Sequence, residues 1–288
     1  MRYCGRDFTV DELEWIRRLV AEHPQWNRAQ LSRALCRHLG WYKADGELKE
    51  MSCRVAMLRM QADDLITLPA PQNGNGNGRA YARRTQATDP GLPIDLPVQQ
   101  LADLRLEPVC DHRTSHLWNE YIQRYHYLGY QPLPGAQMRY VASAQGQILA
   151  LLGFGAAAWK VASRDRWIGW SAAQRQERLH LIINNARFLI LPWITCRNLA
   201  SKLLAMTARR LAQDWANRYG YQPVLLETFV ETQRFAGTCY RAANWIHVGQ
   251  TQGRGKLDSN HQASLPVKDI WLYPLDKHFR SLLRANEK

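Results

Sequence analysis

The sequence predicts an α+β chain in two parts: a helix-turn-helix-like or winged-helix-like head and a larger body built on a mixed sheet. Three observations predict it. Apolar residues recur at helical spacing through the first 63 positions. A stretch rich in Asn-Gly and proline follows at 69–97 and has too little apolar surface to fold on itself. From 98 onward, short β-branched and aromatic runs interleave with helical periods. At 288 residues the chain is also long for one core. The expected division is 1–68 head, 69–97 linker and 98–288 body.

In the head, Thr9-x-x-Glu12 is a capping box that opens a helix over 10–22, with Leu13, Ile16, Leu19 and Val20 on one face. His23-Pro24 ends it. Asn27 caps a second helix carrying Leu31, Ala34, Leu35 and Leu39, and Gly40 follows as its C-terminal residue. A turn over 41–47 has Asp45-Gly46 at its tip. A third helix over 48–63 is expected to bury Leu48, Met51, Val55 and Leu58. Its outer face would then carry Lys49, Ser52, Ala56 and Arg59, with Arg54 nearby, suited to base edges and phosphates. A plain three-helix module with a solvated basic face fits the same pattern. A short strand over 65–68 closes the head.

In the linker, Arg79, Arg83 and Arg84 are available to a phosphate backbone. The body opens with a helix over 115–125 and a Pro/Gly loop to Gly135. A hairpin of strands over 138–143 and 147–156 turns at Ala144-Gln145-Gly146. Ser171 caps a helix, 187–191 is a strand, and 198–219 is the longest helix. Then come a strand over 223–229, a short helix over 233–243, a strand over 245–250, a Gly-Arg-Gly loop and a last strand over 267–273.

The formal charge is +13, from 38 Lys and Arg against 25 Asp and Glu. That sign favours polyanions, nucleic acid above all. No run of ~18 apolar residues is present to span a bilayer. The first residues read as structure rather than as a targeting segment. The six cysteines form no C-x-x-C pair, so no zinc site and no metal ligand set is expected, and free thiols in the cytoplasm are.

The order strand, long helix, strand, short helix, strand from 187 to 248 resembles an N-acetyltransferase-type fold. Its Asn, Ala, Tyr, Gly-Phe pattern corresponds here to Gln233, Ala236, Tyr240 and Asn244-Trp245. The resemblance would put acetyl-CoA pyrophosphate on a Q/R-x-x-G-x-G/A turn. The chain reads Arg197-Asn198-Leu199-Ala200-Ser201-Lys202, with both glycines missing, so side chains would obstruct that cofactor.

The runs YHYLGY, GFGAAAWK, RDRWIGW, NNARFLILPW, LLETFV, GTCYRAANWIHVGQTQGRG and KDIWLYPL, with MSCRVAMLRM in the head, are similar to the DruA family of the Druantia anti-phage systems. Related domains occur in transposon-linked proteins. The resemblance implies defence against phage alongside partner proteins that include a large helicase-like component.

Tyr240 is a candidate general acid, or a nucleophile toward a phosphoryl group, or else a buried structural tyrosine. His126, set between aromatics, has the pKa range for proton transfer. Glu227 and Asp258 are the best carboxylates for Mg²⁺, although no acidic triad of recognisable spacing accompanies them. Arg164, Arg166, Arg187, Arg241, Arg254 and Lys256 are candidates to line a basic groove. Trp159, Trp167, Trp170 and Trp245 would either stack on splayed bases or fill the core. Asn184-Asn185-Ala186-Arg187, two amides and an arginine entering an apolar strand, either shape a pocket or cap a helix. Three functions follow in order: a DNA-binding defence component, a recombinase-, transposase- or nuclease-like DNA strand-processing enzyme, and an acyltransferase.

Overall fold

The computed structural model describes residues 1–72, 84–253 and 265–285. Contacts divide the chain into two units, 1–79 and 80–288.

In the first unit, β1 (Arg2–Tyr3) and β2 (Arg6–Asp7) form a small antiparallel ribbon. Then come α1 (Val10–Glu22), α2 (Arg28–His38) and α3 (Glu50–Ala62). The Thr9 and Asn27 caps form as the sequence requires, each as a full capping box with Glu12 and Gln30. Residues 39–49, pinned by a Tyr42–Leu48 bridge, join α2 to α3.

Two expectations fail here. The third helix is turned: Cys53, Ala56, Met57 and Met60 face the core, while Met51 is 64% and Leu58 42% exposed, with Val55 beside them. The helix is apolar on both sides, and the stripe of small and flexible residues fits closest to α2. Ala56 therefore leaves the outer face. The strand over 65–68 does not form either. Among the described residues it has no partner strand; instead Leu65 N–H donates to Met60 O and Leu68 N–H to Gln61 Oε1, which docks Ile66 and Leu68 into the head core.

The second unit holds β3 (Arg105–Pro108), α4 (His112–Tyr125), β4 (Met138–Ala144), β5 (Gln147–Ala156), α5 (Ala162–Ile168), α6 (Ala172–Arg178), β6 (Ile182–Ile190), α7 (Leu199–Tyr219), β7 (Leu225–Glu231), α8 (Thr238–Ala242), β8 (Ile246–Gln250), β9 (Lys268–Pro274) and α9 (Phe279–Arg284). The seven strands run in the order β3-β4-β5-β6-β7-β9-β8. Among them β6 and β7 are the parallel neighbours, joined by α7, and the other pairs are antiparallel. This is the mixed α/β body expected of an N-acetyltransferase-like fold.

Alternation along β7 and β9 splits the body's apolar residues between two faces. Leu226 and Trp271 join one core with Trp118, Leu203 and Trp215, under α4 and α7. Leu225, Ile270 and Leu272 join the other, with Ile168, Phe279 and Leu283 from α5 and α9. The sequence did not anticipate α5, α9 or β3, and it started β6 late because Asn184 and Asn185 interrupt the apolar run.

Part of the expected linker is structured. Glu120 on α4 accepts hydrogen bonds from Thr85 N–H and from the Thr85 and Thr88 hydroxyls, and Tyr125 donates to Thr88 O. Ile94 is buried and pairs with Ile194. A polar composition misled here, because the partners that satisfy this strap lie on a distant helix.

Candidate functional site

The β6–β7 ladder covers three residue pairs, Ile182–Leu225, Ile183–Leu226 and Asn184–Glu227. Beyond it β6 follows β5 and β7 follows β9, so the sheet parts. Chain crossing such a gap must satisfy its polar groups by side chains, and Asn185 and Thr228 do this. Thr228 Oγ1 donates to Asn185 O at 3.0 Å. Asn185 Nδ2 donates to Gly153 O and, at 3.1 Å, to Arg187 O across a bulge in the β5–β6 pairing. Tyr240, carried in by α8, donates its hydroxyl to Asn185 Oδ1 at 2.9 Å. Its ring meets Trp245 and Phe188 edge-on. Burial pushes the phenol well above its ordinary pKa. A buried, neutral phenol that already donates its proton to an amide is a structural tie and a poor nucleophile.

Arg187 follows Asn185 on β6 beside this parting, and the stacked pair His126 and Tyr127 lies within reach of its charge. Arg187 is half-buried. Its Nη1 donates to Ala186 O at 2.7 Å, while its buried Nε has no hydrogen-bond partner. Among the described residues no carboxylate pairs with it, and burial lowers its pKa. His126 caps α4, and its Nδ1 accepts the Leu128 N–H at 3.2 Å, which leaves the proton of the neutral ring on Nε2. Burial, helped by the Arg187 charge, lowers its pKa to about 4, so the imidazole is neutral at physiological pH. Tyr127 stacks beside His126 and stands 5.5 Å from the Phe235 ring, while the Arg234 guanidinium lies 5.2 Å from the Tyr127 ring centre. Tyr127 is 40% and Phe235 50% exposed. Phe235 was not singled out from sequence, which placed it within a helix over 233–243; the helix begins at Thr238, and Phe235 lies in the loop before it.

The other sequence candidates are dispersed. Glu227 and Arg164 are both fully buried and paired at 2.7 Å. Glu227 also accepts the Ala158 N–H, and Arg164 also binds Asp165 and Ala158 O. Burial raises the Glu227 carboxyl above its usual value, and the Arg164 charge opposes that rise. Glu227 is thus occupied as an ion-pair partner rather than presented to a metal, and Arg164 is no surface contact. A buried arginine needs carboxylates of its own, and Glu227 and Asp165 supply them. Arg166 and Arg241 are exposed, Arg241 over the Trp271 ring. Trp170 and Trp245 are core residues, whereas Trp159 is exposed and Trp167 stacks on Phe279. In the head, Lys49, Ser52, Arg54 and Arg59 flank the outward stripe of α3, with Arg54 held by Glu50. Asp258, Arg254 and Lys256, like Arg79 and Arg83, lie outside the described residues.

Among the described residues no three His, Cys, Asp or Glu side chains come together as a metal site, and none of the helices is long and apolar enough to cross a membrane. The turn before α7 does not fit an acyl-CoA pyrophosphate. Ala200 and Lys202 stand where the fold's glycines would. The Ile194, Thr195 and Leu199 amides already donate to Leu191, Ile94 and Cys196 carbonyls. A hollow lined by Glu107, Asp111, Thr114 and Arg210 offers both signs of charge and is no cradle for a polyanion.

A family model described as Druantia protein DruA matches residues 59–264. No curated protein matches. Among solved structures, a polyamine N-acetyltransferase of Drosophila melanogaster is 13% identical, covering 60% of this chain and 100% of its own, at a TM-score of 0.38. An acetyltransferase of the GNAT family from Streptococcus pneumoniae is 12% identical over 60% and 100%, also at 0.38. An N-acetyltransferase from Staphylococcus aureus Mu50 is 14% identical over 60% and 99%, at 0.37. The likeness is one of fold alone.

Proposed function

The chain belongs to the DruA family of the Druantia defence systems, and we propose that within such a system it is the component that holds DNA. The observation that carries this reading is Arg187, a guanidinium drawn partly out of water at the rim of the parted sheet with no described carboxylate to neutralise it. A cation so placed is best satisfied by an anionic ligand, and phosphate oxygens match its fork. The net charge of +13 supports a polyanion as the source. Lys49, Ser52, Arg54 and Arg59 on α3, and Arg166 and Arg241 on the body, supply further contacts. Work on phage DNA in the bacterial cytoplasm with partner proteins, a helicase-like one among them, belongs to the same reading.

Strand processing through Tyr240 is the weaker reading, because that hydroxyl is spent on Asn185. Acyl transfer is weaker still, because of the turn before α7. A metal-assisted route would need acids beyond Glu227, and Asp258 is the one the sequence offers.

The test is binding of the full chain to labelled duplex and single-stranded DNA across a salt series. Affinity should fall steeply with salt, and Arg187→Gln should weaken it about tenfold, the worth of a charge-assisted hydrogen bond. Binding that ignores salt and Arg187 would sink the proposal. Denaturing gels run with Mg²⁺ should show the DNA intact, and shortened or protein-linked strands would favour the enzyme instead.

A further inference from the structure

The rim of the parted sheet pairs its cation with an exposed aromatic face, and the two suit different parts of one ligand. Arg187 sits half-buried with no carboxylate on it among the described residues, and His126, which feels the Arg187 charge, offers its Nε2–H as a second donor. Tyr127 neighbours both Arg187 and Phe235. Of the two exposed rings, Tyr127 already has His126 stacked on it and Arg234 over it, so Phe235 is the one with a face to offer.

We infer that this rim is a binding site for one unpaired DNA nucleotide, its base stacked on Phe235 beside Tyr127 and Arg234 and its phosphate held by Arg187 and His126. The inference rests on the DNA-binding reading above and names what that site takes. A paired base turns its edges outward and hides its faces in the stack. A ring face beside a cation, with few groups to read an edge, therefore selects a splayed base, irrespective of its sequence. The patch holds one free ring face and one guanidinium with no described carboxylate on it, which sets the site at a single nucleotide. Such a component would mark DNA whose duplex has been opened.

The experiment uses the full chain and three fluorescent duplexes of one sequence: fully paired, with one unpaired 2-aminopurine, and with an abasic residue at the same position. The wild type should bind the unpaired-base duplex roughly tenfold more tightly than either other probe, the worth of one stacked base, and should quench the 2-aminopurine. Phe235→Ala, at an exposed position and checked by thermal melting, should drive the affinity ratio toward one and abolish the quenching. Arg187→Gln should weaken the unpaired-base duplex about tenfold. Wild-type-like preference and quenching in Phe235→Ala would overturn the inference while leaving salt-dependent DNA binding in place. Failure to bind any of the three duplexes would overturn the DNA reading itself.

Discussion

Three side chains of the body are set by their surroundings in ways that thermodynamics can read. Tyr240 gives one hydrogen bond to Asn185, so Tyr240→Phe should cost roughly 1 kcal/mol of unfolding free energy and leave the fold intact. If it also leaves phage protection intact, chemistry at that hydroxyl is excluded. Glu227 is different in kind. Its removal leaves the buried Arg164 with Asp165 as its one remaining carboxylate, so Glu227→Ala should cost about 1.5–3 kcal/mol in denaturant unfolding, the worth of a hydrogen bond between charged groups. A loss under about 1 kcal/mol would mean that the pair is not buried as described. His126 makes the body acid-sensitive. An unfolded imidazole takes its proton near pH 6.5, the folded one near 4. Above pH 6.5 both are neutral and the difference vanishes. As pH falls from 6.5 toward 4, only the unfolded chain gains the proton, so stability drops by up to roughly 3 kcal/mol. His126→Gln should flatten that part of the pH–stability curve.

At the scale of elements, the caps and periods were legible and the facing of helices was not. Thr9, Asn27 and Ser171 announce their helices because a capping box is a local contract between residues three apart. The hairpin turning at Gln145-Gly146 and the long α7 were equally readable. By contrast, α3 is apolar on two sides, and its neighbour α2 decides which side goes in. The strap over 85–101 was hidden because its satisfaction comes from Glu120 and Tyr125, some 35 positions on. The same holds for the candidate site. Arg187 and His126 were named from sequence for their chemistry, but Phe235 joins them through tertiary structure alone. The turn of α3 has a direct check. Met57→Ala should cost about 2–5 kcal/mol and Met51→Ala under about 0.5 in the same unfolding assay. The opposite order would restore the face expected from sequence.

Across the whole molecule the charge sets how binding responds to ions. Each phosphate contact contributes about −0.9 to the slope of log affinity against log salt on duplex DNA, so Arg187→Gln should reduce that slope by about one. A slope unchanged by the substitution would place Arg187 outside the contact. The parted sheet has a mechanical side as well. Its two halves meet over only three rungs of ladder, which by itself would make a hinge. Yet the chain between β5 and β6 leaves the first half, lays α5 and α6 against the second and then returns. Arg164 of α5 grips Glu227 of β7 from that crossing segment. The halves are therefore belted together, and bending at the rungs would tear a core and a buried ion pair at once. Any widening to admit a ligand is confined to the mouth beyond the Asn185–Thr228 tie, which makes the cleft a slot with a fixed floor and an adjustable lip.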